Sequence, residues 1–99
     1  MSAVALAKAD RCVREKAFAM YHVYILRSIS NPAQHYVGFT EDVKQRLVDH
    51  NAGHCTHTSK HRPWGLTVAV SFAERDAALA FERYLKSGSG RAFASRHFR

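Results

Sequence analysis

Five polar side chains recur at spacings that could bring them together. They are Tyr24 and Tyr36, twelve positions apart; Arg46 and His50, four apart; and a later carboxylate, Glu82. Hydrolysis of a phosphate ester needs a positioned water, a group to take its proton, positive charge where the transition state is most negative, and usually a divalent metal. A guanidinium donates a planar pair of hydrogen bonds to two phosphate oxygens in a way an ammonium cannot. One carboxylate, completed by waters and phosphate oxygens, is a typical setting for Mg²⁺. A phenol, with a pKa of roughly 10, is a poor base near neutrality unless cations help it.

These groups need rigid elements beneath them. Tyr21 to Ser28 is dense in β-branched and aromatic residues and ends in Ser30-Asn31-Pro32, which predicts a strand closed by a turn; His35 to Thr40 follows as its antiparallel partner. Thr40 as N-cap, Glu41 and Asp42 in the first turn and Gly53 as stop predict a helix over Glu41 to Ala52. Val43, Leu47 and Val48 are expected to face its core, leaving Arg46 and His50 together on another face. Gly53 to Pro63 reads as a polar loop and Leu66 to Phe72 as a third strand. Arg75 to Lys86 reads as a helix burying Ala77, Phe81, Tyr84 and Leu85, with Glu82 at the stripe's edge. Ser87-Gly88-Ser89-Gly90 is expected to break it as a hinge, before a short helix from Arg91 to His97. The expected fold is a small α/β domain whose three-stranded, mainly antiparallel sheet is flanked by helices.

Length and charge narrow the partners. At 99 residues there is room for one domain, a two-layer arrangement with a thin core, and the hydrophobic fraction of 46% is ordinary for a globular protein. Residues 1–19, Ala-rich with scattered charges, contribute none of the five groups and are expected to be a marginal helix or an appendage ahead of a domain at 20–99; Asp10 and Glu15 argue against a targeting peptide. Fifteen Lys and Arg against eight Asp and Glu give a formal charge of +7, and the stretch from Arg83 to Arg99 carries basic residues with no acid. A polyanion is the expected partner, with Arg83, Lys86 and Arg91 as phosphate contacts. Lys60, Arg62 and Trp64 form a basic loop whose aromatic either stacks on a base or caps the core. Gly38 would admit a phosphate close to the backbone. Cys12 and Cys55 lack any pairing spacing, so a reducing cytosol is the expected compartment, and no apolar run is long enough for a membrane. His50, His54, Cys55, His57 and His61 do not have the paired spacing of a zinc module.

From about Tyr21 to Phe98 the chain resembles the GIY-YIG nuclease superfamily. His22-Val23-Tyr24 stands for the first motif, with histidine replacing its glycine, and Tyr36-Val37-Gly38 for the second. Arg62-Pro63-Trp64 and the Phe81 to Ser87 string resemble the compact, single-domain bacterial members. The resemblance implies Tyr36 at the centre of the site as general base or water-orienting residue, with Tyr24 lining the same cleft. It also implies Arg46 on the phosphate, His50 sharing a proton or binding phosphate, and Glu82 holding Mg²⁺ or Mn²⁺. The implied activity is endonucleolytic cleavage of nucleic acid, DNA in preference, with a protein partner supplying specificity. The alternative is a nucleic-acid-binding module that keeps the fold and does not cut.

Overall fold

The computed structural model describes residues 19–98; the expectations for the N-terminal leader lie outside them. The elements run β1 (Tyr21–Ser28), β2 (His35–Thr40), α1 (Val43–Asn51), a 3-10 turn (Ser59–His61), β3 (Trp64–Phe72), α2 (Arg75–Leu85) and α3 (Gly88–His97). The sheet is antiparallel throughout, in the order β2-β1-β3. No helix among the described residues is long and apolar enough to cross a membrane.

Central strand β1 is buried on both faces, so Val23, Tyr24, Ile25 and Leu26 are all core. Strand alternation then splits them. Val23 and Ile25 join Ala78, Leu85 and Ala94 under α2 and α3. Tyr24, Leu26 and Trp64 pack with Tyr36 and Leu47 on the opposite face, under α1. The expected two layers are therefore three, with the thin sheet in the middle. Each such aliphatic side chain, fully buried, contributes roughly 1.5–3 kcal/mol. Register sets Tyr24 opposite Gly38 and Leu26 opposite Tyr36. On the other side β3 pairs with β1 across a bulge beside Ile25 and Leu26, and among the described residues no strand pairs with its outer edge.

Helix α1 begins two residues later than expected. Thr40 is held in the ladder opposite His22, and its hydroxyl accepts from Asp42 N–H at 3.0 Å. Asp42 is the cap instead, its Oδ1 accepting from Gln45 N–H at 3.1 Å. The helix ends at Gly53 as expected, with φ of 84°. Gly53 N–H bonds the His50 carbonyl and His54 N–H the Asp49 carbonyl, the pair of bonds of a Schellman close. Val48, expected in the core, is 59% exposed, and His50 turns inward instead.

Strand β3 starts at Trp64, two residues earlier than expected, because Asn51 clamps that residue's backbone: Trp64 N–H donates to Asn51 Oδ1 at 2.6 Å and Asn51 Nδ2 donates to the Trp64 carbonyl at 3.1 Å. On α2 the buried stripe is Ala78, Phe81 and Leu85, while Ala77 and Tyr84 are exposed. Ser87-Gly88-Ser89-Gly90 is no hinge. Ser87 caps α3, its Oγ accepting from Gly90 N–H at 3.1 Å and donating to the Tyr84 carbonyl at 2.6 Å. A Cβ on Gly90 would overlap that same carbonyl, so glycine is what lets α3 start directly against the end of α2.

Candidate active site

Four of the five chemically suggestive residues converge on the α1 face of the sheet. β1 supplies Tyr24, β2 supplies Tyr36, and α1 supplies Arg46 and His50. Tyr36 lies with its ring centroid 4.7 Å from that of His50 and 6.1 Å from that of Tyr24. Tyr24 is 1% exposed, and its hydroxyl lies 2.9 Å from His50 Nε2. His50 is wholly buried, with Nδ1 2.8 Å from Thr58 Oγ1.

These positions correct four expectations. Tyr24 does not line an open cleft with a free hydroxyl, and His50 does not face a phosphate; both lie beneath the surface. Gly38, expected to admit a phosphate, is buried under Tyr24, where a Cβ would overlap the phenol ring and its oxygen. Its missing side chain makes room for a tyrosine. Trp64, expected to stack on a base, is 4% exposed and donates its Nε1–H to the Thr58 carbonyl at 2.8 Å. It caps the core.

What remains accessible above this buried layer is Tyr36, half-buried, and Arg46, whose side chain is 35% exposed. The guanidinium is held on several sides: its Nη2 donates to Cys55 Sγ at 3.6 Å, its Nη1 lies 3.8 Å from Asp49 Oδ2, and it is coupled electrostatically to the Tyr24 phenol. Burial pushes the Tyr24 phenol up to about 12, against a smaller lowering by Arg46. His50 is pushed down from its ordinary value, first by burial and then by the Arg46 charge, with Asp49 opposing. The resting pair is a neutral phenol and a neutral imidazole. Arg46 is raised above its already high value, chiefly by the bond to Tyr24, so its charge is permanent.

Tyr36 also lines a cleft of about 380 Å³ at the β2 edge, together with His35, Leu85, Lys86 and Arg91. Two expected phosphate contacts, Lys86 and Arg91, are thus at this cleft, where Arg91 Nη1 donates to the Lys86 carbonyl at 2.8 Å. Arg83 is exposed on the same helix. Lys60 is exposed on the 3-10 turn, and Arg62 donates from Nε to the Ser59 carbonyl at 3.0 Å. Glu82 is the fifth residue. It is carried by α2, and its carboxylate pairs with Lys86 Nζ at 3.0 Å. Lys86 therefore links Glu82 to the cleft that Tyr36 lines. Among the described residues no three His, Cys, Asp or Glu side chains converge as a metal-binding group.

Thr58 and Cys55 are the contacts that sequence reasoning missed. Both sit in an aperiodic polar loop, where no spacing distinguishes one hydroxyl from its neighbours.

Comparison with known proteins agrees with this arrangement. A family model described as the GIY-YIG catalytic domain matches residues 20–94. The chain is 42% identical to structure-specific endonuclease subunit SLX1 of Candida dubliniensis over 80% of its length. It is 44% identical to the protein of the same name from Chaetomium globosum over 65%, and 37% identical to that of Malassezia globosa over 88%. It spans 29%, 22% and 20% of those three relatives.

Proposed function

The chain belongs to the GIY-YIG family, and on that premise we propose that it is a metal-dependent endonuclease hydrolysing phosphodiester bonds in DNA. The observation that carries this reading is the layering of the site: a phenol and a permanently charged guanidinium are accessible, directly above a buried, hydrogen-bonded tyrosine and histidine.

In this reading Arg46 binds two non-bridging oxygens of the scissile phosphate and stabilises the charge that grows on them. Tyr36, beside the cleft, orients the attacking water through its hydroxyl; to act as base it first gives its own proton to solvent, and the phenolate so formed beside the Arg46 cation takes the proton of the water. Tyr24 and His50 act from below, holding Arg46 and supporting the ring of Tyr36. Lys86 and Arg91 carry flanking phosphates along the β2 edge, and Arg83, Lys60 and Arg62 extend the basic track. Glu82 would hold Mg²⁺ or Mn²⁺, a hard cation that keeps most of its waters and supplies charge near the leaving oxygen. Lys86 would have to release the carboxylate, and a substrate phosphate is the natural acceptor for that ammonium.

The relatives are named as subunits of structure-specific endonucleases. A branched or otherwise structured DNA and a protein partner that supplies specificity are accordingly part of the proposal, as is a role in DNA repair or recombination in the cytoplasm. The finer placement in a compact bacterial branch rests only on the Arg62-Pro63-Trp64 and Phe81 to Ser87 strings, whereas the three relatives above are fungal. The second reading, binding without cleavage, is favoured by the Glu82–Lys86 pair, which occupies the one proposed metal carboxylate.

The deciding experiment incubates labelled single-stranded, duplex, flap and branched DNA, and RNA, with the protein in Mg²⁺, Mn²⁺ or EDTA. Cleavage that needs metal and disappears in Glu82→Ala and Tyr36→Phe while binding survives is the expected result. Binding without cleavage in every lane would establish the second reading.

A further inference from the structure

The loop between α1 and β3 reaches the site at one buried point, Thr58. Its hydroxyl lies 2.8 Å from His50 Nδ1 and 3.3 Å from the Cys55 carbonyl oxygen. The Thr58 hydroxyl has one proton; given to the Cys55 carbonyl, which only accepts, it leaves the Thr58 oxygen to accept from His50 Nδ1–H. Imidazole protonated at Nδ1 has a bare Nε2, which accepts the Tyr24 O–H at 2.9 Å. With its proton so directed, Tyr24 offers lone pairs to Arg46, whose guanidinium has only donors.

The opposite tautomer breaks this sequence. A proton on Nε2 would place a second donor on the Tyr24 oxygen and leave the phenol proton turned toward the cation. Thr58 is itself firmly held, with its carbonyl taking the Trp64 indole N–H and Asn51 clamping the Trp64 backbone. The circuit closes where it began, since Cys55, which accepts from Thr58 through its carbonyl, receives Arg46 Nη2 on its sulfur.

We infer that Thr58 is a positioning residue for Arg46: by accepting from His50 Nδ1–H it fixes the tautomer that lets Tyr24 present its lone pairs to the guanidinium. Thr58 touches no substrate. The tautomer part rests on the Thr58, Cys55 and Tyr24 contacts, the reach to Arg46 on its electrostatic coupling to Tyr24, and the consequence for cleavage on the nuclease reading above.

The test is ¹⁵N–¹H correlation of the histidine rings in the full chain, with the His50 signals assigned by their loss in His50→Gln, for the native protein, Thr58→Val and Thr58→Ser. Native His50 is expected to carry its proton on Nδ1, Thr58→Val to shift it to Nε2, and Thr58→Ser to return it to Nδ1. On a cleaved substrate Thr58→Val is expected to lower kcat about tenfold or more with a smaller change in KM, and Thr58→Ser to recover most of the rate. A native Nε2–H tautomer, or an unchanged tautomer in Thr58→Val, overturns the inference. So does a switched tautomer with native kcat. If Thr58→Val does not fold, the native and Thr58→Ser tautomers decide the question. If the native protein cuts nothing, the nuclease reading fails while the tautomer result still judges the role of Thr58.

Discussion

At the scale of single residues, the site separates reach from support. Arg46 is the only permanently charged group among the four that converge on the α1 face, and its fork cannot be copied by an ammonium. Arg46→Lys is expected to cut kcat by roughly 10²–10³ while DNA binding falls little, as steady-state cleavage and a binding titration would show; native kcat in that variant would remove Arg46 from the reaction. The buried pair beneath it sets a pH window for stability. His50 lies below its ordinary 6.5 in the folded protein. The unfolded chain therefore binds more protons between the two values, and stability is full above about pH 6.5 and falls as acid carries the solution below it. Tyr24 works in the other direction, rising from 10.0 to about 12 on folding. Its contribution is complete below the unfolded value and is lost as pH climbs toward the folded one. Denaturant melts across pH should show a plateau between these limits, with the alkaline loss reduced in Tyr24→Phe. An alkaline limb identical to the native one in that variant would contradict the assignment.

At the scale of elements, the glycines that matter are those against backbone. Gly90→Ala would drive a methyl group into the Tyr84 carbonyl and to within 2.6 Å of the Leu85 Cα, where nothing flexible can yield. A loss of about 1–3 kcal/mol or more is expected. Gly88, two residues earlier, has open space around a Cβ, so Gly88→Ala should be neutral or gain about 0.5–1 kcal/mol. Urea titration of both variants checks the contrast. Both glycines look alike in the sequence, which is why the Ser-Gly-Ser-Gly stretch reads as a hinge there: what separates them is the path of α2, a tertiary fact. The strands were legible because β-branched and aromatic runs end in strong turn residues, and the motif spacing placed Tyr36, Arg46 and His50 together. Where reading failed, a long-range contact had overridden a local preference. Thr40 has cap chemistry but is held in the ladder by His22, and Trp64 has the look of a stacking residue but is drawn inward by Asn51 and Thr58. The inward turn of His50 follows from Tyr24 and Thr58 waiting there, and neither is a neighbour in sequence.

At the scale of the whole molecule, the charge of +7 should dominate encounter with DNA. Binding should weaken with salt along a straight log–log line whose slope reports the number of phosphates engaged. Lys86→Ala and Arg91→Ala are each expected to make that slope shallower by about one, measurable by anisotropy across a salt series; an unchanged slope would place the DNA away from the β2 edge. The two edges of the sheet are chemically unlike. β2 is lined by His35, Tyr36, Lys86 and Arg91, whereas β3, Trp64-Gly-Leu-Thr-Val-Ala-Val-Ser-Phe72, carries no charge at all and has Ile29 and Leu66 exposed nearby. Among the described residues β3 has no strand on its outer edge, and bare, uncharged edges are templates for pairing with another chain. The net charge that draws in a polyanion therefore has a second effect, keeping one copy's β3 from meeting another's. Colloidal stability and substrate affinity draw on the same positive field, and the ions that screen one screen the other.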